Sequence, residues 1–241
     1  MTSLSIVIPT LWKPSGFPEY ILSIANLKIV KEIIIIDNNH QDSVFFDHAK
    51  ICVIQQLKNI YVNPAWNLGA RLASGDILCL LNDDLAAKPR IYEYAVNIFK
   101  QDQTKTIGLI GLDWKNVTGE LSYRDIFVRD SGYFGTLMFM RTVEYPFIPN
   151  LMKIWWGDDF ILFTFLLQKK KVLALSGYAL TKQQGSQSLS SNRKSFNPIL
   201  KRDSSFWKLI KLCLFLRYDP ILGLITYGNK LLSIMRFQSK Q

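Results

Sequence analysis

The chain has 241 residues, 49% hydrophobic and 20% charged, which excludes a disordered chain and suffices for one α/β domain with an appendage. Its three cysteines, Cys52, Cys79 and Cys213, have no paired spacing, which argues against a disulfide frame or a zinc site. The net charge of +10 is lopsided: residues 182–241 hold 11 Lys or Arg against Asp203 and Asp219, a balance of +9, so the tail reads as a face for a polyanion on a near-neutral body.

In chain order, Leu4 to Thr10 is an apolar strand closed by Pro9-Thr10, and Tyr20 to Leu27 reads as a crossover helix. Ile33 to Ile36 is a second buried strand ending in Asp37-Asn38-Asn39, and Cys52 to Gln55 a weaker third. Strand, helix, strand with polar strand ends predicts a parallel sheet with right-handed crossovers. No Gly-x-Gly-x-x-Gly follows either strand, so the dinucleotide fingerprint is absent.

Residues 63–72 then read as a helix that breaks at Ser74-Gly75. Ile77 to Leu81 has no polar alternation and suits a strand covered on both faces, whose C-terminal end faces a ligand. Asn82, Asp83 and Asp84 stand at that mouth. Neighbouring carboxylates there suit a shared divalent cation or a cationic loop; alternatively, Asn82 and Asp83 form a turn that caps the helix Lys88 to Phe99.

Ile107 to Leu112 reads as a strand, Asp113 to Arg129 as an irregular excursion, and the run from Ser131 to Arg141 as a small-residue turn at Gly132 leading into a strand. Trp155-Trp156-Gly157-Asp158-Asp159 heads a helix, Phe160 to Gln168. Its acids satisfy a helix N-terminus, and its aromatics also suit a sugar-binding wall beside a base. Residues 187–203 read as a mobile loop and 204–241 as a basic amphipathic segment with helices Phe206 to Leu216 and Ile221 to Phe237. Such helices suit an anionic lipid surface, or else pack on the body. Nucleic acid is disfavoured, since the tail is as greasy as it is basic and carries no recognition motif.

The run from Asn63 to Leu85 passes from Asn67-Leu68-Gly69 through Gly75-Asp76 and an apolar strand into the acidic turn. It resembles the signature of family 2 glycosyltransferases of the GT-A fold. The resemblance covers residues 3–186 and implies a nucleotide-sugar-binding and catalytic domain over 1–186, α/β of GT-A type, with a mostly parallel central sheet flanked by helices. The implied activity is inverting, metal-dependent transfer from a nucleoside diphosphate sugar, UDP-linked by expectation, to a hydroxyl of a glycan or lipid-linked acceptor. Pro9, Thr10, Asp37, Asn39, Asn63, Asn67, Arg71, Asn82 and Asp83 would bind the donor. In isolation Asp37-Asn38-Asn39 also reads as a turn, and Arg71 as part of a solvated helix face. Asp84 and Asp83 would hold a divalent metal, Mn or Mg, Asp159 would be the general base with Asp158 as its partner, and Gly132, Trp155 and Trp156 would face sugar and acceptor.

One departure stands out. Members of the family carry a histidine-containing loop after the base helix, whereas here that place holds Lys182, Gln183 and Gln184, and the chain's two histidines are His40 and His48. A catalytically decayed nucleotide-sugar or glycan binding protein is therefore the second reading. The N-terminus has no charged leader region, and no apolar run approaches the roughly 18 residues of a spanning helix. A cytoplasmic protein with peripheral membrane contact is the expectation, with oligomerisation left open.

Overall fold

Uninterrupted apolar runs set the centre of the sheet. In a computed structural model that describes residues 2–39, 44–113, 119–127, 134–177, 180–182 and 193–218, these runs form the innermost strands. The elements are β1 (Leu4–Thr10), α1 (Phe17–Ala25), β2 (Val30–Asp37), β3 (Ile51–Gln55), α2 (Val62–Leu72), β4 (Ile77–Leu81), β5 (Leu85–Ala87) and α3 (Arg90–Gln101). They continue with β6 (Ile107–Leu112), β7 (Ser122–Ile126), β8 (Leu137–Arg141), α4 (Gly157–Leu167), β9 (Lys171–Ser176), β10 (Leu180–Lys182) and α5 (Arg193–Tyr218).

Among the described residues, eight strands form one sheet in the order β3-β2-β1-β4-β8-β6-β9-β7. The pairs β3/β2, β2/β1, β1/β4 and β6/β9 are parallel, whereas β8 runs antiparallel to β4 and β6, and β7 antiparallel to β9. Alternate side chains of each central strand enter opposite layers, as the pleat requires. Ile6, Ile33, Cys79 and Phe139 pack with α1 and α3, while Val7, Ile34, Leu78 and Met138 pack with α2, α4 and α5. Two buried layers explain why these strands carry no polar alternation.

Several expectations change. A three-residue strand, β5, separates the acidic turn from α3, and Pro89 precedes that helix with no side-chain cap, so Asp83 does not cap it. The polar run Ser122–Ile126, expected to be irregular, is an edge strand. Helix α5 begins at Arg193, so residues 193–203 of the expected mobile loop are helical. Its Trp207 and Leu214 are buried in the layer shared with α2 and α4, and Phe215 is buried against Phe163 of α4, so the packing alternative describes this face of the helix. The helix expected at 221–237 lies outside the described residues. Among the described residues no helix is long and apolar enough to cross a membrane, and the three cysteines are free thiols.

Candidate active site

The C-terminal ends of β1, β2 and β4 share one edge of the sheet, so Thr10, Asp37 and the turn after Leu81 meet there. Thr10 Oγ1 donates to Asp83 Oδ2 at 2.8 Å, and the Leu11 N–H approaches the same oxygen at 3.4 Å. Burial drives the Asp83 carboxyl up to about 6, helped by its neighbour Asp84 and resisted by the Thr10 bond. Asp37 is fully buried; its Oδ1 accepts the Asn39 N–H at 2.8 Å, and its Oδ2 is buried without a protein partner. An acceptor left open at a strand end is costly unless a ligand supplies the missing donor. Asn39 reaches back through Nδ2 to Leu11 O at 3.3 Å. Pro9, Thr10, Asp37, Asn39 and Asp83 thus form one cluster, and the turn expected at Asp37-Asn38-Asn39 is built as part of it.

A second acidic cluster lies beside the first. Leu81 of β4 faces Leu137 of β8, and the Asn82 N–H donates to Thr136 O at 3.0 Å, which fixes the turn Phe134–Thr136 against the acidic mouth. Gly135 in that turn touches Asp158: a Cβ there would overlap the Asp158 carboxylate. Asp158 and Asp159 occupy the first turn of α4, half-buried, where free N–H groups and the helix dipole favour them. The three-residue turn therefore bridges the two acid pairs.

The α2 residues behave differently. Asn67 spends its amide on the chain that follows β8: Nδ2 donates to Ile148 O at 2.7 Å, and Oδ1 accepts from Tyr145 Oη and the Ile148 N–H, both at 2.9 Å. Asn63 holds the segment before α4, its N–H donating to Lys153 O at 3.0 Å and its Nδ2 to Trp155 O at 3.3 Å. Arg71 sits on the last turn of α2, about 12 Å along the helix from Asn63, with its guanidinium over Phe147 at 4.8 Å. Because α2 runs from the edge where β3 ends toward the start of β4, Arg71 lies at the opposite edge of the sheet from Thr10 and Asp37. These three side chains brace the framework.

Trp155 is half-buried, and Trp156 stacks on Trp207 of α5 with centroids 6.5 Å apart and planes at 9°. Gly132, Gln183 and Gln184 lie outside the described residues. Lys182 pairs through β10 with Leu85 of β5, so its backbone lies next to the residue that follows the Asp83-Asp84 turn. No group of three or more His, Cys, Asp or Glu side chains is arranged to hold a metal among the described residues. The pair Asp83 and Asp84 still fits a small hard cation, since such ions are commonly held by one or two carboxylates together with substrate phosphate oxygens and water.

Sequence reasoning missed Asp203. It is fully buried on α5, and its Oδ2 accepts the N–H groups of Lys153, Ile154 and Trp155 at 3.0, 2.9 and 3.1 Å. A single acid inside a basic run was the available signal.

The same architecture recurs among solved structures. A crystal structure of S. aureus TarS 1-349, and those of its complexes with UDP and with UDP-GlcNAc, superpose with TM-scores of 0.60, 0.62 and 0.59 at 13, 14 and 14% identity. Each superposition covers 90% of this chain and 66, 67 and 68% of the TarS chain, so the protein spans about two thirds of that length. The fold is that of the GT-A glycosyltransferases. Glycosyl transferase family 2 matches residues 5–166, and the chain belongs to that family. No curated protein sequence matches it.

Proposed function

We propose that the protein transfers a sugar from a nucleoside diphosphate sugar, UDP-linked, to an acceptor hydroxyl, with inversion and with a divalent metal, Mn or Mg. The observation that carries this reading is the pairing of two acidic clusters across the Phe134–Thr136 turn, one at the end of β4 and one at the head of α4. The complexes of TarS with UDP and UDP-GlcNAc support the donor class.

Asp37 Oδ2 has the open lone pair to accept from a base N–H or ribose hydroxyl. Asp84 and Asp83 would hold the metal, which supplies positive charge to the leaving diphosphate. Asp159 takes the proton of the acceptor hydroxyl as its oxygen attacks the anomeric carbon opposite the diphosphate. One displacement inverts that centre. Asp158, held against Gly135, fixes the first turn of α4 from which Asp159 projects. The acceptor is a glycan or a lipid-linked glycan. The outer face of α5, with Leu209 and Leu216 exposed among Lys201, Lys208 and Arg217, gives the protein a peripheral foothold on an anionic surface.

Thermal shifts of wild type and Asp84→Ala with UDP, GDP, CDP and dTDP, each with and without manganese, test the donor and metal assignments together. A manganese-dependent shift with UDP, absent in the variant, is expected. An equal shift in both proteins removes the metal assignment, and no shift with any of the four removes the donor class. Asp159→Asn then separates enzyme from binding module: it should keep the UDP shift and lose about 10²-fold or more in turnover.

A further inference from the structure

The family match ends at residue 166, yet the segment carrying the acid pair is held from outside it. The chain enters α4 through one residue in an unfavourable conformation. Trp156 has φ +66°, a left-handed backbone that is rare for a bulky side chain, and Tyr61, beside the Asn63 that grips this segment, has φ +71°. Such conformations persist only where their surroundings over-determine them. Here α5 adds its own determinants to the grip of Asn63. Asp203 Oδ2 gathers three successive backbone N–H groups, Ser204 Oγ accepts from Trp156 Nε1 at 3.2 Å, and Trp207 stacks on the Trp156 ring.

We propose that Asp203 is a positioning residue for the acid pair, and that α5, through Asp203, Ser204 and Trp207, completes the active site. A carboxylate that replaces water for three N–H groups at once fixes the direction of the chain entering α4, and therefore where Asp158 and Asp159 point. The donor cluster on β1, β2 and β4 is built without α5. Removing the carboxylate should thus disturb the acceptor side and spare the donor side. The proposal rests on the glycosyltransferase reading for the role of the acids, but not for the clamp itself.

The test uses the full chain as wild type, Asp203→Asn and Asp203→Ala, read by amide hydrogen exchange and by steady-state kinetics with the donor identified by the nucleotide panel. In Asp203→Ala, exchange over residues 153–159 should quicken at least 10-fold while β1, β2 and β4 keep wild-type protection. Its kcat should fall at least 10-fold with the donor KM within about twofold. Asp203→Asn keeps one acceptor oxygen and should recover part of both. Should Asp203→Ala fail to fold, Asp203→Asn alone decides by the same two readouts. Unchanged exchange over 153–159 overturns the clamp. Altered exchange with unchanged kcat overturns the positioning role. A wild type with no transfer activity sinks the proposed function, and the exchange arm still decides the clamp.

Discussion

Two aspartates with opposite perturbations show what single residues contribute. Asp83, raised to about 6, is favoured by the fold in its protonated form. Its stabilising contribution is present below the ordinary carboxylate value near 4, is lost as pH rises through 6, and leaves a net cost at neutral pH. Asp83→Asn should therefore raise the Tm of the ligand-free protein at pH 7.5 by about 2–4 °C, while weakening manganese-dependent UDP binding; a lower Tm would contradict this account of the site. Asp102 is the reverse. Partial burial pushes its carboxyl up, but bonds from the Ile107 N–H, Arg141 and Thr106 outweigh that and hold it at about 2. Its contribution is present above about 4 and fades as pH falls toward 2. Urea midpoints should drop over that window, and in Asp102→Asn the drop should shrink on a lower neutral-pH baseline. The place of Asp37 and Asp83 at the strand ends was legible because they follow unbroken apolar runs, whereas the contacts of Asn67 and Arg71 with the chain after β8 were not, because they depend on how α2 lies on the sheet.

At the scale of elements, β1, β4 and β6 have the limits read from sequence, since apolar residues covered on both faces leave sharp borders. β5 and β10 are three residues each, and β7 is a polar edge, so none has a pattern long enough to read. The turn before β8 makes a direct prediction. Gly135→Ala must displace the Asp158 carboxylate, so turnover should fall about tenfold or more while UDP binding, measured by thermal shift, stays near wild type. Helix α5 makes another. Leu209→Ser with Leu216→Ser should weaken co-sedimentation with anionic liposomes and leave the circular dichroism spectrum intact, because both side chains are about half exposed. Trp207→Ser should instead lower stability by several kcal/mol, since that ring is buried between Trp156 and Phe163. Retained liposome binding in the double leucine variant would take the foothold away from this face.

Across the whole molecule, chemistry and support occupy opposite edges of the sheet. One acid cluster lies at the C-terminal ends of β1, β2 and β4, with the other beside it at the head of α4, and the Asp102–Arg141 ion pair, 2.9 Å long, lies where α3 ends and β6 begins. Variants of Arg141 should thus change stability and leave turnover per folded molecule unaltered. The strand order has a consequence for how the chain assembles as it is made. β3, β2, β1 and β4 are adjacent in the sheet and are complete by residue 81, while β8, β6, β9 and β7 draw on residues 107–176 in an interleaved order. The first group can therefore close around α1 and α2 before the second exists, leaving β4 as an open edge that waits for β8. In refolding followed by pulsed hydrogen exchange, amides of β1, β2 and β4 should gain protection ahead of those of β6 and β9, and the residues that orient the acid pair should settle last, when α5 docks.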